Sequence, residues 1–359
     1  LASRLAVAMV RGFQGEDLSS PGCIAACAKH FAGYGASESG RDYNTTDIPE
    51  IELRNVHLPP FRAAVDAGVA SLMTSFSDLN GLPATANEFL LRQVLRDEWG
   101  FDGFVVSDWE SVPQLAVHGL TADDRESALA AASAGLDMEM ASVTFREHLA
   151  GLVDEGKITI REIDAMAANV LRAKLRLGLF EEPYTDAERV RLPAEHEALE
   201  AAREAALESL VLLMNRDRAL PLSKQDIASL AVIGPMADEA VEQLGTWIFD
   251  GDPARSVTPL RALHGYLGPD VEVRYERALE TTRSRSDAGF PAALEAARSS
   301  DAVVLFLGEE SILSGEAHSR ADIRLPGIQE RLISELSATG KPIVLVVLAG
   351  RPLALEAVV

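Results

Sequence analysis

Short apolar runs alternate with longer amphipathic ones through about the first 180 residues. Residues 24–31, IAACAKHF, read as a strand, as do 69–76, VASLMTSF, and 101–109, FDGFVVSDW. A shorter strand is read at 136–140, LDMEM. Between them lie helical patterns. Residues 57–68 are entered through Pro59 and Pro60 and stopped by Gly68. Residues 87–100 have Asn87 as a cap and Gly100 as a stop. Further helices are predicted over 122–135, 145–156 and 159–179. Repeated strand–helix units imply parallel strands joined by right-handed crossovers, in a (β/α) barrel or an open α/β sheet.

The pattern then changes. Residues 181–200 contain prolines and many charges, the signature of a linker, and a helix is predicted over 196–215. Strands are predicted at 229–235, 301–308 and 341–350, each ending in a glycine-containing turn. This is a second α/β domain with an open parallel sheet. The boundaries are drawn at 1–182 for the first domain, 183–207 for the linker and 208–359 for the second domain. The opening residues, LASRLAVAMVRGF, are already helical with no cap before them, and the sequence stops soon after a strand. The chain therefore reads as an internal piece of a larger protein. The amino-terminal part of the first domain and the carboxyl-terminal part of the second are expected to lie outside it.

Composition narrows the function classes. The 55 acidic residues against 33 basic give a formal net charge of −22, which disfavours nucleic acid and anionic membranes as partners. No apolar run approaches the length of about 18 residues that a membrane-spanning helix needs. Cys23 and Cys27 are too few for a metal set or a disulfide scaffold, and they read as two small buried thiols on one element.

The candidate chemistry clusters just after strands. Lys29-His30 follows the first, Phe76-Ser77-Asp78 the second, Asp108-Trp109 the third, and Glu139 the fourth. In parallel α/β folds ligands bind at the carboxyl ends of strands, so this succession reads as a catalytic face. Taken singly the residues stay ambiguous. Asp108 is a nucleophile or a turn former. Trp109 is a wall for a sugar ring or a core plug. Lys29 and His30 can grip vicinal hydroxyls, or be a salt-bridged lysine and a satisfied core histidine. Arg41 and Asp42 form a loop ion pair or face a ligand. An aspartyl-phosphate reading of Asp108 lacks the second Asp, because Glu110 stands at the third position. Downstream, GEESILSGEAHSR carries Glu309, Glu310 and Glu316, a solvated acidic loop or a source of a proton donor.

AKHFAGYGASESGRDYN, LRDEWGFDGFVVSDWESV, AASAGLDMEM, RLGLFEEPY, ESLVLLMN and GEESILSGEAHSRADIRLPGIQ occur in this order along nearly the whole chain. Together with LPPFRAAVDAGVASLMTSFSDLNGLPATAN they resemble family 3 glycoside hydrolases, the β-glucosidase group. The resemblance implies a TIM-like barrel followed by an α/β sandwich with a mainly parallel sheet, and an active site drawing on both. It implies that Asp108 is the nucleophile and Glu316 the acid/base. Lys29 and His30 would bind hydroxyls of the terminal glucosyl residue, and Trp109 would be the adjoining aromatic wall. Nearby cations such as Lys29 would keep Asp108 ionised. Arg41 and Phe76 are further candidates for substrate contact, Phe76 standing where many relatives carry Tyr. Trp247 would line the aglycone side or belong to the core.

A retaining mechanism through a covalent glycosyl-Asp intermediate is implied, with no metal or organic cofactor. The substrate would be a β-glucoside or oligosaccharide; a homodimer is compatible with this reading, and the location expected is periplasmic or secreted. In KHFAGYG, Tyr34 stands where the N-acetylglucosaminidase branch has a second His, and the Asp-Ser-His of that branch is absent. A β-xylosidase of the same family, or a sugar-binding relative without activity, are the alternatives.

Overall fold

The computed structural model describes residues 1–184 and 195–358. The chain divides into two compact units, Leu1–Glu195 and His196–Val359. The linker expected at 183–207 lies partly outside the described residues, and its second half, from Glu195, opens a helix that runs to Ser209.

In the first unit β1 (Cys27–Phe31), β2 (Ser71–Thr74), β5 (Phe104–Trp109) and β6 (Met138–Met140) form a parallel sheet in sequence order. The two-residue strands β3 (Asp78–Leu79) and β4 (Leu82–Pro83) make a separate antiparallel hairpin. Helices stand between the parallel strands, giving the strand–helix succession of a TIM-like barrel. Phe31, Leu72, Leu90, Leu91, Leu95, Val105 and Leu136 form the floor of the core and are all fully buried. Phe31 is set edge-on between Phe61 and Trp99.

Polar clips fix where the strands begin. The Gln14 side-chain oxygen accepts from the N–H groups of Ala26 and Ala70 at 3.1 and 2.9 Å, tying the starts of β1 and β2 together. Asp137 accepts from Arg96 at 2.6 Å, from the Val105 N–H at 2.7 Å and from Asn169 at 2.8 Å. Burial raises the pKa of Asp137 and lowers that of Arg96, since it penalises both charges; the ion pair and the hydrogen bonds oppose this. Asn87 caps as expected, accepting from the Leu90 N–H at 3.1 Å, but the following helix, Phe89–Glu98, is π-wound. The two cysteines are not the buried pair that was expected. Cys27 is exposed and Cys23 half-buried, because this edge of β1 has no neighbour among the described strands.

The second unit holds β7 (Ser229–Ile233), β8 (Glu272–Glu276), β9 (Ala302–Gly308) and β10 (Ile343–Leu348), all parallel in the order β10-β9-β7-β8. Alternate residues of the central strands feed two separate cores. Ala231, Ile233, Val303 and Leu305 pack with Phe290, Leu332 and Leu336, while Leu230, Val232, Val304 and Phe306 pack with Leu260 and Leu267. A sheet covered on both faces needs an unbroken apolar strand, and AVVLFLG is one.

Two sequence-based expectations change here. Strand β8, EVRYE, was not anticipated: its charged alternate positions belong to an edge strand, with Arg274 paired to Glu272 at 2.5 Å while Val273 and Tyr275 face the core. The helix predicted to reach residue 215 ends at Ser209. Its apolar continuation, Leu210–Met214, occupies consecutive positions, with no 3.6-residue stripe to bury, and it is exposed.

Candidate active site

Strand β5 rises through the core on Val105 and Val106 and delivers Asp108 at its carboxyl end, 7% exposed. The turn is built around that carboxylate. One oxygen accepts from the Trp109 N–H at 2.7 Å, and the other lies 3.3 Å from His30 Nε2. The Asp108 carbonyl accepts from the Ser107 hydroxyl at 2.8 Å and from the Ser111 N–H at 3.1 Å. Ser107 also accepts from the Met140 N–H, which joins the end of β5 to that of β6. A buried hydroxyl chain, Thr74–Thr85–Ser111, lies beside this turn, each step 3.0 Å.

His30, at the end of β1, sits edge-on to Tyr34 with ring centroids 5.1 Å apart. The Tyr34 hydroxyl donates to Asp42 at 2.6 Å. Phe76, after β2, packs against both Tyr34 and Tyr43. The structure thus brings Asp108, His30 and Phe76 into one chain of contacts and adds Tyr34, Asp42 and Tyr43. Lys29 precedes His30 with an exposed side chain, and Arg41 is exposed on the loop that carries Asp42. Trp109 is 61% exposed, so it is no core plug. Glu139 is occupied: it accepts from the Ser142 hydroxyl and from the Phe145 N–H at the start of the helix Thr144–Asp154.

In the second unit the three acidic candidates separate. Glu309 has a fully buried side chain held by Arg320 at 2.9 Å and Arg351 at 3.2 Å. Glu310 accepts from the Thr282 hydroxyl at 2.6 Å and from Arg283 at 3.1 Å. Burial works against the Glu310 charge, but those two donors hold its carboxyl below the ordinary value. Glu316 is half-buried on the loop between Ser314 and Arg320. Gly315, with φ of 95°, is pressed against Thr246: a Cβ there would come within 2.8 Å of the threonine hydroxyl. This puts Glu316 beside the segment carrying Trp247, which is 63% exposed and packs on Phe249 with centroids 5.4 Å apart. Trp247 is therefore not a core residue.

Asp42 was read with Arg41 as a loop ion pair or a ligand contact, and it accepts from the Tyr34 hydroxyl; Tyr34, Tyr43 and Arg351 were not singled out from the sequence as site elements. A Tyr in place of a second His was the one signal available for the first of them. Among the described residues no group of three or more His, Cys, Asp or Glu side chains is arranged to hold a metal ion.

A (β/α) unit with a buried carboxylate at a strand end, followed by a doubly covered parallel sheet, is a two-domain α/β architecture with a strand-end site of the kind enzymes use. The Glycosyl hydrolase family 3 N terminal domain matches residues 1–173 and the family's C-terminal domain matches residues 210–358. The chain belongs to glycosyl hydrolase family 3. It is 38% identical to a periplasmic β-glucosidase of Salmonella typhimurium over 99% of this chain and 49% of the relative. It is also 38% identical to a β-xylosidase of Formosa agariphila, over 99% of this chain and 51% of the relative. The crystal structure of a β-glucosidase from Listeria innocua in complex with isofagomine superposes with a TM-score of 0.91 at 38% identity, covering 99% of this chain and 49% of that one. The chain thus spans about half the length of these relatives.

Proposed function

We propose that the protein is a retaining, exo-acting β-glucosidase that removes terminal β-glucosyl residues by double displacement. The observation that carries this reading is Asp108: a carboxylate raised on a core strand, 7% exposed, oriented by the Trp109 N–H and by His30. Asp108 attacks the anomeric carbon and the glycosidic C–O bond breaks. Glu316 gives its proton to the leaving oxygen, then takes a proton from the water that hydrolyses the glycosyl-Asp ester. Glu309 and Glu310 are held by arginine and hydroxyl partners, and the stretch SGEAHSR, which resembles the family's pattern, supports Glu316 as the acid/base. Lys29 and His30 bind hydroxyls of the terminal sugar, with Phe76 and Arg41 as further contacts. Trp109 offers a flat apolar face, and the exposed Trp247 lines the aglycone side. The substrate is a β-glucoside or a β-linked oligosaccharide.

The 38% identity to a β-xylosidase supports xyloside hydrolysis as the second reading. A periplasmic relative and an acidic composition support a periplasmic or secreted location. No helix among the described residues is long and apolar enough to cross a membrane.

Two experiments on the full-length protein test the proposal. A 2-fluoro glucoside is expected to label Asp108 covalently, located by peptide mass spectrometry; a label elsewhere, or none, sinks the mechanism. A panel of aryl β-glucoside, β-xyloside and N-acetylglucosaminide is expected to favour the glucoside. A preference for xyloside selects the second reading.

A further inference from the structure

The loop that carries Glu316 is bracketed by an ion cluster. Glu309, the first residue after β9, has no exposed side-chain surface. One of its oxygens takes Arg320 at 2.9 Å, the residue that closes the loop, and the other takes Arg351 at 3.2 Å, three residues beyond β10. Arg351 then reaches into the loop itself. Its Nη2 donates to the Leu313 carbonyl and, at 2.7 Å, to the His318 carbonyl. These two acceptors stand on either side of Glu316. Arg320 in turn donates to the Arg324 carbonyl at 3.1 Å. The strand end below is locked independently. Buried Gln329 accepts from the Gly308 N–H and donates to the carbonyls of Thr282, Gly308 and Pro326.

A buried carboxylate with two guanidiniums is costly to desolvate and adds little net stability over an apolar substitute. Its geometry is what sets it apart here: a planar fork fixes two carbonyls and a carboxylate at once, which a lysine ammonium cannot do. We infer that Glu309, Arg320 and Arg351 are positioning residues that hold the Glu316 loop in its proton-donating arrangement. The inference rests on the reading of Glu316 as acid/base.

The test exploits leaving-group chemistry in the full-length protein. Phenyl glucoside needs a proton donor at the departing oxygen, whereas dinitrophenyl glucoside leaves without one. Glu316→Ala is expected to lower kcat/KM for phenyl glucoside by roughly 10²–10⁴-fold, with a far smaller loss for the dinitrophenyl substrate. Arg351→Lys and Glu309→Gln are expected to shift the ratio in the same direction, by about 10- to 100-fold on the phenyl substrate and under about threefold on the activated one. The ratio does not depend on the fraction of enzyme that folds, so a purely structural defect leaves it at the wild-type value. A wild-type ratio in Arg351→Lys and Glu309→Gln, with Glu316→Ala shifted, overturns the positioning role alone. A wild-type ratio in Glu316→Ala overturns the acid/base reading and the positioning inference with it.

Discussion

The two carboxylates proposed for catalysis are held in different ways. Asp108 sits at the end of a core strand; one carboxylate oxygen accepts from a backbone N–H of its own turn and the other faces an imidazole from β1, two strands away in the sheet. Glu316 sits on a loop whose course depends on side chains, and one of those arginines lies 42 residues from its partner glutamate. A nucleophile must meet one carbon at one angle, and a strand end supplies that rigidity. A group that serves as acid and then as base must face a departing oxygen and later an incoming water, and a loop with tied ends suits both. The comparison teaches that the two are anchored by different means: a strand end, a backbone N–H and an imidazole for the first, and a loop tied down by arginines on a buried glutamate for the second.

Several variants of the full-length protein sharpen this contrast. The largest effect is expected at the strand-borne group. Asp108→Asn leaves the turn intact but removes the nucleophile, and should cost on the order of 10³-fold or more in turnover of aryl glucoside; turnover like that of the wild type ends the assignment. Next is the latch under the same strand. Asp137→Ala leaves the half-buried Arg96 without its carboxylate and frees the Val105 N–H, for a loss of about 2–4 kcal/mol in denaturant unfolding. A loss below about 1 kcal/mol would show that the position of β5 does not depend on this clip.

The smallest effect is expected at Glu310, on the loop side. Its folded pKa lies below the ordinary value, so its stabilising contribution is present above about pH 4.5 and is lost as the pH falls through the folded pKa. Glu310→Gln should therefore flatten the acid side of a melting-temperature profile, with a stability change of at most about 1 kcal/mol near neutral pH, since Arg283 is half exposed. It should leave the ratio of phenyl to dinitrophenyl glucoside turnover unchanged. A shifted ratio would bring Glu310 into the proton-transfer machinery and break the contrast drawn between the three glutamates.

Legibility in the sequence followed the same division. The runs FVVSDW and AVVLFLG announce themselves, because strands buried on both faces need continuous apolar residues and their polar ends stand out. Asp108, Trp109 and the Lys29-His30 pair could thus be picked out as strand-end residues. Strand β8 was hidden because an edge strand alternates charge with bulk, and EVRYE reads as surface. The helix that opens the second unit was drawn too long because LVLLM is apolar without being periodic. In the acidic loop only the register of the family resemblance pointed to Glu316, since the arginine and hydroxyl partners of Glu309 and Glu310 appear only in the fold. Arg351 gave no signal at all, lying in a different loop from the residues it holds. Tyr34 and Asp42 were visible as a motif, but their hydrogen bond needs the fold of the loop.

The contact between Gly315 and Thr246 constrains how this enzyme could be re-tailored. A laboratory library that tests the proposed aglycone role of Trp247 would randomise the aromatic segment around Trp247 and Phe249. Position 246 bounds that segment, because the threonine side chain fills the space that a Cβ on the glycine before Glu316 would need. If Glu316 is the proton donor proposed above, variants that carry a bulkier residue at 246 are expected to lose turnover. The productive libraries are those that vary 247 and 249 and keep the threonine.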